Sequence, residues 1–323
     1  MILLQAIDTN ILRALLVDGR RSFASIAKAN GVSADIIANH FLEMEKAGVI
    51  VGATTQANYL KLGYQGVALM TIRSQTQYHD RILEEIKKIP NLLPAASYNS
   101  IYNIHMVTTI KSLAELDNIK QVIKNRFPIE ASRTYLWMDL RNIPEHLALG
   151  PPDNPELENN NRPSFESQKN LSIDELDLKI IEELSRNGRA PFGQIAKTVG
   201  SSTDTVNRRY ERLVKNNVIK VSIQFNPELL GYKGIVHFLI SISSQNEIGA
   251  TVDLLSKIQN VSWIAKLSGG DYELLVCMLV REIGEIFIVA EQIRRISNIE
   301  KIESYLRRIT PRWPTPKQYI STF

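Results

Sequence analysis

A chain of 323 residues with 44% hydrophobic side chains is long enough for two or more domains, each with its own core, and is not a disordered polyelectrolyte. Its 38 basic and 34 acidic side chains leave a formal charge of only +4, so any contact with nucleic acid has to come from local clustering of cations. A single cysteine, Cys277, excludes an intramolecular disulfide and a multi-cysteine metal site, which fits a reducing, cytoplasmic setting. The longest apolar runs, 66–72 and 274–280, fall far short of the roughly 20 residues of a membrane-spanning helix. The first residues carry no cationic leader, so neither membrane insertion nor export is expected.

The chain reads as one unit written twice. Residues 8–50 align without a gap onto 177–219: Asp18-Gly19-Arg20 answers to Asn187-Gly188-Arg189, Ile26-Ala27-Lys28 to Ile195-Ala196-Lys197, Gly31 to Gly200, Ser33 to Ser202, and Val49-Ile50 to Val218-Ile219. Further on, Gly63-Tyr64-Gln65-Gly66 answers to Gly231-Tyr232-Lys233-Gly234, so the repeat continues into a second module. The expected divisions are 1–55 and 56–149 in the first half, a linker at 150–171, 172–224 and 225–310 in the second half, and a tail at 311–323. The linker assignment rests on its proline, asparagine and serine content and its few apolar side chains.

The first module predicts a winged helix-turn-helix. In the second copy, Leu178, Ile181 and Leu184 mark one helical face, with Asn187-Gly188 as a left-handed stop. A short helix over 191–199 turns inward Phe192, Ile195, Ala196 and Val199, and Gly200 makes the tight turn that follows. Ser202 caps a third helix whose stripe is Val206, Tyr210 and Leu213, and the alternation over 218–225 predicts the start of a wing. In the first copy the same frame is carried by Ile11, Leu12, Leu15, Ile26, Ala27, Val32, Ile37, Phe41 and Met44.

The third helices differ in charge. Over 202–215, Arg208, Arg209, Arg212 and Lys215 oppose Asp204 and Glu211, and outward arginines there can fork onto guanine or clamp phosphate. Over 33–46, Asp35, Glu43 and Glu45 oppose Lys46, with His40 standing where Arg209 stands and Glu43 where Arg212 stands. Carboxylates facing a phosphate groove repel it. The second copy is therefore expected to read double-stranded DNA, through Arg189, Ser202, Thr203, Thr205, Arg208, Arg209, Arg212 and Lys215, and the first copy to keep the fold with at most phosphate contacts from Arg20, Arg21 and Lys28.

The second module predicts the order β-α-β-β-α-β, at 64–73, 80–89, 92–98, 102–110, 113–124 and 129–138, and again at 233–241, 248–258, 261–267, 272–280, 283–296 and 299–308. Helices cover one face of such a ferredoxin-like sheet, so the two sheets are expected to pack face to face. The fold class is α+β. In the tail region, Arg307-Arg308 and Arg312-Trp313 read as a solvated edge with a docked aromatic.

A winged helix-turn-helix followed by this sandwich, with Asn187-Gly188-Arg189, Gln194-Ile195-Ala196-Lys197, Gly200, Ser202 and a closing Val218-Ile219, resembles the Lrp/AsnC family of transcription regulators, here in tandem. The resemblance covers both halves apart from linker and tail. It implies a sequence-specific DNA-binding regulator that assembles through its sandwiches, the chain being a covalent tandem, a pseudo-dimer or half of a larger ring. Because a good base contact contributes only about 1–3 kcal/mol, one reader per chain predicts a homodimer of tandem chains. The resemblance also implies a small amino-acid effector held near Ser268, Gly269, Gly270 and Asp271, where glycines admit a ligand and the carboxylate could accept from an α-ammonium group. A hairpin loop with no ligand accounts for the same four residues. The matching stretch of the first half, 99–102, has neither glycine nor carboxylate.

Some proteins of this architecture are decarboxylases of a haem precursor, which keeps an enzymatic alternative open. The five histidines, His40, His79, His105, His146 and His237, are scattered singly along the sequence, and the expectation is no enzyme, cofactor or metal. A further alternative is a heteromeric modulator of single-copy Lrp-like regulators.

Overall fold

A computed structural model describes residues 2–89, 92–98, 100–143, 146–150 and 172–315; the expected linker at 150–171, apart from Gly150, and the tail beyond 315 lie outside the described residues. The first half runs α1 (Ala6–Val17), α2 (Phe23–Asn30), α3 (Ala34–Lys46), β1 (Ile50–Ala57), β2 (Gly66–Ser74), α4 (His79–Lys87), β3 (Leu93–Ala96), β4 (Ile104–Ile110), α5 (Leu113–Arg126) and β5 (Ile129–Asn142). The second runs α6 (Glu175–Arg186), α7 (Phe192–Val199), α8 (Thr203–Lys215), β6 (Ile219–Phe225), β7 (Gly234–Ile242), α9 (Ile248–Leu255), β8 (Val261–Ser268), β9 (Leu274–Val280), α10 (Ile283–Arg294) and β10 (Ile299–Arg308). The same succession thus occurs twice. The compact units cut across the halves: one holds Met1–Leu62, Leu147–Tyr232 and Thr310–Ile320, the other Gly63–His146 and Lys233–Ile309. Like modules are gathered together.

In the first unit, Gly31 and Gly200 end α2 and α7 in the left-handed conformation, at φ of 67° and 68°, which a side chain would strain. Ser33 and Ser202 then accept the Ile36 and Thr205 N–H groups at 3.3 and 3.1 Å and start the third helices. Ile180, Ile181, Leu184, Ile195, Ala196, Val206, Leu213, Val218 and Ile219 form the core of the second copy. Leu178 departs from the expected stripe and is 48% exposed, because the buried face of α6 begins at Asp177.

Two local readings are corrected. The strand after each third helix does not form a wing of its own; β1 and β6 pair antiparallel, from Ile50 opposite Phe225 to Ala57 opposite Ile219, and tie the two copies together. Asn187-Gly188 is not a left-handed stop either, since Asn187 is extended at φ −147° and Gly188 is absent from the glycines of positive φ. Glycine is needed there for close approach. A Cβ on Gly188 would lie 2.8 Å from Val221 Cγ1, and one on Gly19 2.8 Å from the Ser222 backbone. Their N–H groups donate to Ala53 and Val221 carbonyls, both at 2.8 Å, on the ribbon. Trp313 docks on the same ribbon through paired backbone bonds with Phe225.

The second unit is one eight-stranded sheet, in the order β10-β7-β9-β8-β5-β2-β4-β3. The two half-sheets are thus continuous at their edges, not separate as expected. β5 runs on to Asn142, and its extra length pairs antiparallel with β8 from Leu136 opposite Ser268 to Asn142 opposite Trp263. At the other edge, Tyr98 and Leu306 form an isolated bridge at 2.8 and 3.0 Å, so the curled sheet meets itself. On one face Ile82, Ile86, Leu116 and Ile123 of α4 and α5 bury Ala68, Met70, Ile104 and Met106. Val252, Leu255, Val289 and Ile293 of α9 and α10 do the same for Val236, Phe238, Val276 and Met278.

Candidate nucleic-acid interface

Helix α8 presents two distinct faces. Ser202, Thr203, Asp204, Arg208, Glu211 and Lys215 are exposed, and Val206 and Leu213 are buried. Arg209 and Arg212 do not stand free on the outer side as the charge count suggested. The Arg209 guanidinium donates to Asp174 Oδ2 at 2.5 Å and to Asp177 Oδ1 at 3.1 Å, and Arg212 donates to Asp177 Oδ2. Asp177 is wholly buried, and Arg209 and Arg212 are 25% and 39% exposed. The pairs join α8 to the capped start of α6, where Asp174 accepts the Asp177 N–H at 2.9 Å and Asp177 accepts the Asp174 N–H at 3.1 Å. The hydrogen bond from Arg209 holds the Asp174 carboxyl down at about 2. A buried carboxylate needs such partners, and this one takes two of the four cations counted on α8.

The first copy repeats the contact in weaker form. His40 Nδ1 donates to Asp8 Oδ1 at 2.7 Å, at the positions of Arg209 and Asp177. The exposed face of α3 carries Ala34, Asp35, Ile36, Asn39, Leu42, Glu43 and Lys46, an apolar and acidic mixture.

Arg189 is also removed from the expected reading surface. It donates to the Gly19 carbonyl at 2.6 Å, and its guanidinium lies 5.1 and 5.2 Å from the Phe23 and Phe41 ring centroids. Arg20 reciprocates, donating to the Gly188 and Ala190 carbonyls at 2.7 and 3.0 Å and stacking 4.1 Å over Phe192. Each arginine of the repeated Gly-Arg pair is thus half-buried against the other copy, and burial lowers the pKa of both guanidinium groups. Burial likewise pushes the neighbouring Tyr210 hydroxyl up to about 12. Thr205 is engaged locally, its Oγ1 accepting from Ser202 at 2.9 Å. Of the predicted contacts, Ser202, Thr203, Arg208 and Lys215 remain exposed, alongside Asp204 and Glu211.

The loop expected to enclose an effector is taken up by the first half's β5. A Cβ on Gly270 would sit 2.2 Å from Tyr135 Cε1, and Asp271 Oδ2 lies 3.6 Å from Arg133. Ser268 is paired with Leu136, and Gly269, at φ +92°, faces the Thr134 carbonyl. The stretch thus packs against β5.

Two of the scattered histidines come together, which the sequence did not foresee. His105 and His237 stack on Tyr305 at 3.8 and 4.8 Å, and Trp263 lies 5.5 Å from His237 and 5.3 Å from Trp137. His105 Nε2 donates to the Tyr102 carbonyl at 3.1 Å, fixing its tautomer. Burial depresses its pKa to about 3, burial lowers that of His237 well below the usual imidazole value, and burial raises the Cys277 thiol to about 12. Arg307, expected on a solvated edge, is only partly exposed and its charge acts on both imidazoles. Among the described residues no group of three or more histidine, cysteine, aspartate or glutamate side chains could hold a metal ion, and no helix is long and apolar enough to cross a membrane.

The profile of the AsnC-type helix-turn-helix domain matches residues 173–214, the stretch from the start of α6 to the end of α8. The second helix-turn-helix is of the AsnC type. The chain is 29% identical over 131 residues to the HTH-type transcriptional regulator FL11 of Pyrococcus furiosus, covering 40% of this chain and 84% of that protein. It is 29% identical over 133 residues to the HTH-type transcriptional regulator LysM of Saccharolobus solfataricus, covering 40% of this chain and 89% of that one. These homologues are HTH-type transcriptional regulators that correspond in length to about one half of the chain. Over its whole length the chain shares its fold with the siroheme decarboxylase NirDL, at a TM-score of 0.67 and 14% identity, covering 98% of this chain and 94% of that one.

Proposed function

We propose that the protein is a DNA-binding transcription regulator in which the second helix-turn-helix makes the reading contacts and the first serves as its structural counterpart. The observation that carries this reading is the coincidence of the AsnC-type match with the exposure of Ser202, Thr203, Arg208 and Lys215 at the start and along the outer side of α8. Arg208 and the helix start are suited to base edges, and Lys215 to a phosphate. Arg209, Arg212 and Arg189 are not part of the proposed interface, because their guanidinium groups hold the two copies and their helices in place. One reading helix per chain supplies few base contacts, so two chains are proposed to associate on one operator, forming a homodimer in the cytoplasm. An amino-acid effector at 268–271 is not carried into this reading, since Asp271 faces Arg133 and Gly270 is filled by Tyr135.

Selection of bound fragments from a randomised duplex pool tests the proposal. Enrichment of a shared sequence by the native chain, lost on Arg208→Ala, supports it; no enrichment at low salt contradicts it.

A second reading is favoured by the whole-chain likeness to NirDL: an enzyme acting on a tetrapyrrole. The assembled His105, His237 and Arg307 give it chemical groups, but both imidazoles are buried in a stack. Titration with an iron tetrapyrrole, followed by visible absorbance, decides against it if no saturable spectral change occurs.

A further inference from the structure

The β5 and β10 segments Ile129-Glu130 to Tyr135-Leu136 and Ile299-Glu300 to Tyr305-Leu306 are equivalent positions of the repeat. At one equivalent pair the charge is exchanged: Arg133 in the first half stands where Glu303 stands in the second. The two side chains meet across the seam, with Arg133 Nη1 3.5 Å from Glu303 Oε2. The surroundings are equivalent too. The Tyr102 ring lies 4.7 Å from the Arg133 guanidinium, and its counterpart Tyr272 donates its hydroxyl to Glu303 at 3.0 Å. Arg133 faces Asp271 of the second half's loop at 3.6 Å, and Glu303 accepts from Ser100 of the first half's loop at 3.3 Å. The β5–β8 ladder has its counterpart in the Tyr98–Leu306 bridge, so both edges of each half are engaged.

We propose that this exchange makes the seam charge-coded, so that each sandwich half accepts the unlike half of this chain as its partner and rejects a second copy of itself. Pairing of two first halves would set Arg133 against Arg133, with Ser100 and Ile101 in place of the acidic loop. Pairing of two second halves would set Glu303 against Glu303, each beside an Asp271. Both arrangements bring like charges together where the observed one brings opposite charges together, and specificity arises from the penalty on the wrong partner as much as from the right contact. The exchange requires two different halves. A homodimer of single-copy sandwiches presents the same residue from both sides and cannot reproduce it.

Substitution in the full-length chain tests the code, because Glu303→Arg recreates the arginine pair of two first halves within the native topology. Unfolding is followed by tryptophan fluorescence, to which Trp137 and Trp263 beside the seam contribute. Glu303→Arg is expected to lower the midpoint by about 3–5 °C more than the neutral Glu303→Gln does. Adding Arg133→Glu to Glu303→Arg is expected to restore at least half of the loss, full recovery being prevented by Asp271. Raising the salt to about 1 M is expected to shrink the difference between Glu303→Arg and Glu303→Gln, since these groups are partly exposed. The proposal is overturned if Glu303→Arg melts with Glu303→Gln, or if the losses from the two reversals simply add.

Discussion

The two helix-turn-helix copies share the same three helices, the same serine caps and the same carboxylate at the start of the first helix, yet they spend that carboxylate differently. Asp8 meets one imidazole, whereas Asp177 is buried against two guanidinium groups. Cations that look like a reading surface on a helical wheel are therefore scaffold in the second copy. What separates the copies on their outer faces is smaller: Arg208 where the first copy has Asn39, Thr203 where it has Ala34, and Thr205 and Glu211 where it exposes Ile36 and Leu42. A helix's net charge does not identify its ligand until the neighbouring helix has taken its share.

The sharpest way to break this comparison is to remove the two carboxylates in turn. Asp177→Ala strips Arg212 of its carboxylate, leaves Arg209 only Asp174 and removes the reciprocal cap bond of α6, so a loss of about 3 kcal/mol is expected, against about 1 kcal/mol for Asp8→Ala, which gives up one imidazole and the bond from the Gln5 N–H. Denaturant unfolding followed by circular dichroism measures both; equal losses would mean that the two contacts do the same work. The reciprocal arginines come next. Arg20→Ala gives up two carbonyl acceptors and a ring stacked at 4.1 Å, Arg189→Ala one acceptor and two rings beyond 5 Å, so losses of about 2 and 1 kcal/mol are expected by the same assay. The order of the two losses checks the assignment.

Acid stability probes the contrast within the second unit. His105 stays neutral in the fold down to about pH 3, whereas an unfolded imidazole takes its proton near 6.5. The unfolded chain therefore binds more protons between these values, and stability falls as pH drops below about 6.5, with up to about 1.4 kcal/mol lost per pH unit from His105 alone. His237 acts in the same direction. His105→Gln is expected to flatten the dependence of the unfolding midpoint between pH 6 and 4; an unchanged slope would show that the imidazole titrates normally.

Much of the architecture was legible in the sequence, because repeated glycines, serines and apolar spacings are local signals. The Gly31 and Gly200 turns, the Ser33 and Ser202 caps and both β-α-β-β-α-β successions were read from such patterns. The misses all involve partners distant in the chain. Asp177 does not announce itself as a buried position, because a carboxylate does not register as apolar, although it sits in step with Ile180, Ile181 and Leu184. Arg189 and Gly188 look like surface and stop in the sequence because their reason for being there lies on the other copy. The His105–Tyr305–His237 stack unites three separate strands, which no spacing along the chain announces. One signal was available: His40 and Arg209 occupy equivalent places facing equivalent aspartates, a pairing that a comparison of the two copies could have suggested.

The most direct test of the central claim, that the two copies share a scaffold and the second reads, is DNA affinity by fluorescence anisotropy on a duplex selected by the native chain. Arg208→Ala with Lys215→Ala is compared with Asn39→Ala and Lys46→Ala at the equivalent places of the first copy. The second-copy pair is expected to weaken binding by at least about tenfold and to reduce the salt slope by about 1, with the first-copy pair unchanged. Equal weakening by both pairs, or none by either, would contradict the account.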